Sequence, residues 1–513
     1  MLEGFKRGVI LGKAGLAAAQ IRLSDDDRKK EIARKALANL FANARGIMMK
    51  VGQLLVDSEG SPYRQLLDNI EPYPLETMLP ILQKSLGQPV ENVFQSIEEA
   101  NAAASLGQVH QAILKTGEQV AVKIQYPNIQ DAVEGELKIA GLLPGMGPVR
   151  KWGFNLENYK LELRKNMAKE LDYRSEAKRQ KEFCEGVRVD GLVVPKIYEE
   201  LCSEKVLVQS WEQGQNITEI ENWPSEERQS VARILIKTLF KSLFVHGEIH
   251  GDPHIGNSFY RKRSQNNPEV ILLDYGCTVP IPRTARLALL KLLIALKEET
   301  PISPMQCFVA MGFDGKKLSY IHHALPMMCQ VLFRPFLADG RFRVVDWHVQ
   351  KGLDSLLGEE KWWFRSSGPA ELFLLIRAFQ GLCQNLVTIK AFSDWYSLLI
   401  EAVGADLAHT ARNFQLPPIS DDLQILATST RALAKTLEVE VWENTRQTVG
   451  VHLPANAILE IEDIMPQEVL EQLNASTDIN LKQILDRVKK SGIAPQNVFE
   501  YSHGSKTYKV WLA

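Results

Sequence analysis

The chain is poor in the features that would assign it to several broad classes. Its six cysteines, Cys184, Cys202, Cys277, Cys307, Cys329 and Cys383, are scattered and form no CxxC pair. That excludes a zinc-finger type of thiolate site and reads as free thiols in a reducing compartment. No apolar run reaches the ~18 residues of a spanning helix. The nearest candidates, "LALLKLLIALK" and "ELFLLIRAFQGLC", are short and interrupted by charge, so they read as buried helices. Neither sign of charge is in excess: the net charge is -2 at pH 7. A nucleic-acid partner, which calls for a basic excess or stripe, is therefore not expected. No segment repeats at a solenoid period.

What remains is a globular composition, 45% hydrophobic and 24% charged over 513 residues, long enough for roughly three units. The first stretch, "MLEGFKRGVILGKAGLAAAQIRL", has the basic start and small residues of a signal peptide. Lys13 breaks its apolar part, and the cysteine usage argues against secretion. The reading is an amphipathic helix that packs on the protein or lies on a membrane surface, in an intracellular protein that is cytoplasmic or peripherally membrane-associated.

Hydrophobic period divides the chain. Residues 1–100 read as helical, with "KKEIARKALANLFANARGIMMKVGQLLVD" keeping apolar residues at helical spacing. Residues 101–213 change period. Val109, Gln111 and Ile113 alternate, Thr116-Gly117 makes a turn, and Val120, Val122 and Ile124 share one strand face. A long charged helix is expected over 155–186, then strands in "GLVVPKIY" and "EKVLVQSW", giving five strands and a helix. Residues 214–413 are mostly helical, apart from pieces such as "EVILLDYG". The Pro-Pro pair in "FQLPPISDD" marks a boundary. Residues 422–513 then form a small α+β module, a candidate docking or capping surface for a protein partner.

The stretch "HGEIHGDPHIGN" carries the chemistry. His246 and His250 are four apart, as on a zinc-binding helix, but Gly251 and Pro253 stop any helix before His254. Asp252 and Asn257 fit better. They keep the spacing of H-x-D-x-x-x-x-N, in which Asp orients or deprotonates the attacking group and Asn binds Mg²⁺. Seventeen residues after Asn257, an apolar strand leads into Asp274-Tyr275-Gly276, resembling D-F-G, whose Asp binds Mg²⁺. Upstream, Val120-Ala121-Val122-Lys123 matches V-A-I-K. Alternation puts Ala121, to lie under adenine, and Lys123, to reach phosphates, on one face. Aligning Val109 with the end of G-x-G-x-x-G-x-V sets Ala102 and Ala104 where two glycines stand and Gly107 at the third. Ala102, Ala103, Ala104 and Ser105 are thus expected to form an alanine-rich phosphate loop that resists φ > 0.

In order, "KVGQ" (50–53), "AAASLGQVH" (102–110), "VAVKIQYP" (120–127), "ELDYRSEA" (170–177), "HGDPHIGN" (250–257) and "DYG" (274–276) resemble the motifs of the UbiB/ADCK (AarF-type) atypical protein-kinase-like family. The resemblance implies an α+β, bilobal protein-kinase-like fold with an N-terminal helical extension. It implies Lys123 as phosphate anchor and Glu176 as its helix partner, with Glu170 and Asp172 as a further acidic motif near nucleotide and metal. At helical spacing Asp172 and Glu176 share a face while Glu170 points about half a turn away. Lys50, Gly52 and Gln53 match a signature helix over the usual peptide site. Ile255 stands where the family usually has Pro.

The implied cofactors are ATP and Mg²⁺. The implied activity is ATP hydrolysis or phosphoryl transfer to a lipid or quinone-precursor-like small molecule, in ubiquinone biosynthesis or lipid homeostasis. The competing reading is a catalytically weak, nucleotide-gated scaffold or lipid-binding protein. Cys277 and Trp362-Trp363-Phe364 are expected to be packing residues.

Overall fold

The computed structural model describes residues 72–103, 106–130, 165, 168–252, 255–264, 267–370, 372–426, 433–475, 480–490 and 493–513. The first 22 residues, the signature residues Lys50, Gly52 and Gln53, and Ala104, Ser105 and His254 lie outside these.

Helix α1 (Leu75–Leu86) ends at Gly87, whose φ of 68° lets its N–H close on the Gln83 carbonyl. Its apolar residues Met78 and Leu82, four apart, are fully buried. They meet the inner face of a four-stranded antiparallel sheet in the order β1-β2-β3-β5. The strands are β1 (Phe94–Ala103), β2 (Gly107–Leu114), β3 (Gln119–Gln125) and β5 (Val206–Ser210). Val120, Val122 and Ile124 point into that core, as period two requires, which turns Ala121 and Lys123 to the other face. The hairpin turns at Gly117, with φ 97°.

Several expectations are corrected here. The helical extension ends before residue 94, not at 100, because β1 starts there. The alanine loop is shorter than its sequence suggested: Ala102 pairs with Val109 and Ala103 with Gln108, so both belong to β1. The expected fifth strand is absent from this sheet. Leu192–Val193 (β4) pairs with another sheet, and only an Ile197–Gln209 bridge follows. Pro195, with no N–H to give a ladder, separates the two. The 155–186 helix is interrupted at Leu171–Asp172, and α2 runs Tyr173–Gly186. Asp172 is its N-cap rather than an interior residue, accepting from the N–H groups of Arg174 and Ser175 at 3.1 and 3.2 Å. An aspartate at this point favours starting a helix over continuing one.

The second lobe begins with α3 (Ser225–Phe240), which continues as a π-helical turn, Lys241–His246. Gly247, at φ 91°, ends it. The strand β6 (Glu248–His250) pairs with β9 (Thr278–Pro280), and β7 (Ser258–Ser264) with β8 (Asn267–Leu272), which also takes β4. Helix α4 (Arg283–Lys297) holds the whole of "LALLKLLIALK" and is buried on nearly every side. Helices α5 (Leu372–Thr388) and α6 (Trp395–Asn413) close the lobe. Trp395 is buried among Phe240, Phe336 and Phe379. Phe364 packs on Phe308 and Phe313, and Trp363 stacks on Tyr320.

Last come β10 (Thr436–Glu443), β11 (Arg446–Pro454), β12 (Gln496–His503) and β13 (Lys506–Leu512), in the order β11-β10-β13-β12. Helices α7 (Gln467–Ala475) and α8 (Leu481–Lys490) accompany them. Leu437, Ile458, Leu473, Val488 and Leu512 share one continuous core with the helices of the second lobe. The whole is an α+β, kinase-like arrangement. Among the described residues, no helix is long and apolar enough to cross a membrane.

Candidate functional site

The site forms where the outer face of β3, the first turns of α2 and the segment after β8 converge. Lys123 Nζ lies 2.9 and 3.2 Å from the two carboxylate oxygens of Glu176, a two-pronged pair across the lobe. It is also 3.4 Å from Asp274 Oδ1 and sits over the Tyr173 ring at 4.8 Å. Glu176 is almost wholly buried and Lys123 nearly so, whereas Asp274 is 35% exposed. Burial opposes the ammonium charge, but the Asp274 and Glu176 carboxylates hold Lys123 protonated well above the usual lysine range. Burial pushes Glu176 up to about 7 against the pull of Lys123, and the Asp274 charge adds to the rise. Negative charge therefore exceeds positive here, a setting that a cation would relieve.

Asp274 adopts φ 59°, rare for a residue with a Cβ. Its surroundings hold it there. The Gly276 N–H donates to Asp274 Oδ1 at 3.2 Å. Arg179 on α2 donates to the carbonyls of Tyr275 and Gly276 at 3.1 and 3.3 Å and to that of Lys169 at 3.3 Å. The Tyr275 ring is fully buried between Phe183 and His250, with centroids at 5.1 and 5.4 Å. His250 Nε2 lies 2.9 and 2.6 Å from the carbonyl oxygens of Leu273 and Asp274, so this nitrogen carries the proton. His246 and His250 occupy different elements and do not form a helical pair; His246 packs edge-on against Phe183.

Glu170 departs from its expected direction. With the helix broken at Asp172, Glu170 returns to the site, and a Cβ at Gly276 would lie 3.4 Å from both Glu170 and Glu176. Asp172 faces away to its cap. Burial works against its charge, but the Ser175 hydroxyl and the two backbone N–H groups hold its carboxyl below the usual range. Gly107 is required by space: a Cβ there would collide with the Ile124 carbonyl and the Tyr173 hydroxyl. Val109 pairs with Lys123, and Ala121 with Gln111 and Gln209.

Asp252 is 9% exposed, and its loop is tied by Gly251 N–H to the Cys277 carbonyl at 2.8 Å. The Asn257 amide donates to the Asp252 carbonyl at 3.3 Å. Both residues border a cavity of about 100 Å³ lined also by Thr238, Ala378 and Leu382. Arg377 of α5 reaches Asp252, Nη2 to Oδ1 at 3.7 Å. Sequence reasoning missed Arg179 and Arg377. The only signal for Arg377 was a lone charge in an apolar helix; for Arg179, in a charged helix, there was none.

Among the described residues, no three His, Cys, Asp or Glu side chains form a ready-made metal cage. The donors present are hard oxygens, the set suited to Mg²⁺, which takes one or two carboxylates and completes its shell with water and phosphate.

The ABC1 atypical kinase-like domain family matches residues 65–300. The chain is similar to the chloroplast protein Activity of bc1 complex kinase 1 of Arabidopsis thaliana, at 30% identity over 335 residues, covering 62% of this chain and 48% of that protein. It is similar to a protein of Synechocystis sp. at 30% identity over 289 residues, covering 51% of this chain and 69% of that one. Among solved structures it resembles a Mycobacterium tuberculosis protein in complex with erythromycin, with 25% identity, 74% of this chain and 98% of that one covered, and a TM-score of 0.49. The chain spans about half the length of several curated relatives it matches.

Proposed function

This chain belongs to the ABC1/AarF-type (UbiB/ADCK) family of atypical kinase-like proteins, and from that premise we propose that it binds Mg²⁺-ATP and acts as an ATPase or small-molecule phosphotransferase. The observation that carries the reading is the buried Lys123–Glu176 pair with Asp274 at 3.4 Å. A lysine so held is a fixed positive charge for phosphate oxygens, and Glu176 fixes its direction. Asp274 and Asn257 are the residues that would hold Mg²⁺, with Glu170 and Glu176 adding negative charge beside them. When bound, the ion would neutralise charge on the phosphates. Ala121 would face the adenine, and the paired ends of β1 and β2, with Ala102, Ala103, Gly107 and Val109, would cover the phosphates together with Ala104 and Ser105. Asp252 would hold the attacking hydroxyl or water and accept its proton. Lys50, Gly52 and Gln53 enter as family motif residues, without a geometric role assigned.

The acceptor class, a lipid or quinone-precursor-like molecule in ubiquinone biosynthesis or lipid homeostasis, rests on family membership, as does peripheral membrane contact. The scaffold reading is favoured by one observation: Ala102 and Ala103, two of the four residues expected in the phosphate loop, are locked into β1. Steady ATP turnover separates the two. Asp252→Asn should lower turnover by about 10²–10⁴-fold with Mg²⁺-ATP affinity retained, the range for losing a general base. Equal turnover in wild type and variant favours the scaffold.

A further inference from the structure

Helix α5 reads LFLLIRAFQGLCQNLVT, and Arg377 is its one charged residue. The helix is held on a rigid footing. Ala378, Leu382 and Leu386 lie in the main core, and Phe379 packs edge-on or tilted against Trp347 and Trp395 at 5.7 and 5.8 Å. A guanidinium in such a place is costly to bury unless it meets an anion. Arg377 is 7% exposed, and its Nη2 lies 3.7 Å from Asp252 Oδ1.

Two bonds hold the backbone of this loop: the Gly251 N–H donates to the Cys277 carbonyl and the Asn257 amide to the Asp252 carbonyl. Both bonds place the backbone and neither acts on the Asp252 carboxylate. Arg377 reaches the carboxylate itself, from a different helix. At 3.7 Å the contact is an ion pair rather than a full hydrogen bond, which orients the anion by charge.

We infer that Arg377 is a positioning residue for Asp252, setting the orientation of its carboxylate from α5. The inference rests on the reading of Asp252 as the group that orients the attacking hydroxyl or water. Arg377 itself touches no reacting atom. Its loss therefore acts on the chemical step and not on nucleotide binding.

The test is ATP turnover by the full chain with Mg²⁺, on wild type, Arg377→Met, Arg377→Lys and Asp252→Asn. Met keeps much of the volume in an apolar helix, and Lys restores the charge without the planar fork. The expected result is a kcat lowered about ten- to hundredfold in Arg377→Met, the range for residues that orient a primary ligand. The KM for ATP stays within about twofold, as for an interaction made in the transition state. Arg377→Lys falls between the two, and a Mg²⁺-ATP thermal shift like that of wild type shows each variant folded. Unchanged kcat in Arg377→Met, or a raised KM with kcat intact, overturns the inference while a slow Asp252→Asn leaves the Asp252 reading standing. Loss of the thermal shift in both Arg377 variants overturns it too, since the residue would then be structural. Wild-type turnover by Asp252→Asn overturns the reading beneath it.

Discussion

At the residue scale, Lys123, Glu176 and Asp274 form a charge cluster in which one cation faces more than one anion. Removing Lys123 leaves a buried carboxylate without its partner, typically a loss of 3–5 kcal/mol, near the low end where the carboxyl can take a proton instead. Glu176, already raised to about 7, can do so. Lys123→Met should therefore be less stable than wild type by about 3 kcal/mol near pH 6, and by more at pH 9, where the carboxyl must ionise. Lys123→Met/Glu176→Met should recover most of this loss in urea unfolding while ATP turnover stays absent. No recovery in the double variant would mean that the pair is held by packing. The residues of this cluster were legible because each sits at a fixed offset in a local motif. Arg377 was not, because its partner Asp252 lies on a distant element. A lone charge in an apolar stretch says that a partner exists without saying which.

At the element scale, two devices fix the first lobe. Asp172 caps α2 and thereby sets the direction in which Glu176 and Arg179 project. Asp172→Ala should cost about 1 kcal/mol, the usual value of a cap, read as a lowered urea midpoint with unchanged slope. The sequence showed one long charged helix here. Periodicity alone does not show a break, and the cap competes with helix continuation only once the Ser175 hydroxyl joins it.

The second device ties β2 to the chain entering α1. Gln108 accepts from the Tyr73 N–H at 2.7 Å and donates to its carbonyl at 2.8 Å, and its amide also lies 3.0 Å from His110 Nε2. His110 Nδ1 is 2.9 Å from the Glu98 carbonyl. The pattern closes when His110 is neutral, with its proton on Nδ1, and burial lowers its affinity for a second proton. A depressed folded value makes the contribution complete above the ordinary 6.5 and lost as pH falls through the lower folded value. The melting-temperature advantage of wild type over His110→Gln should therefore shrink as pH drops below about 6.5. A constant gap would refute the neutral tie.

At the scale of the whole molecule, the final α+β module reads from sequence as a separate unit, because a Pro-Pro pair precedes it. Its core is nevertheless continuous with that of the second lobe, and Lys351 meets Glu460 at 3.5 Å. Turn signals report where the chain changes direction; they do not report whether two apolar faces close on each other. Ending the chain at residue 421 should expose that face and lower the melting temperature or cause aggregation. An unchanged melt would make the module independent. The two-lobe plan itself was legible from the switch of hydrophobic period, which is local. The sheet partner of β4 was not, since Pro195 acts only once neighbouring strands compete for it.

The most direct test of the central claim, a Mg²⁺-ATP site built on Lys123, Glu176 and Asp274, is thermal unfolding with and without Mg²⁺-ATP on wild type and Asp274→Ala. At 100 times its dissociation constant, a ligand that binds only the folded state adds about 2.7 kcal/mol. A metal-dependent rise in melting temperature in wild type, lost in Asp274→Ala, is the predicted result. No rise in wild type at millimolar nucleotide, or an equal rise in the variant, would contradict it.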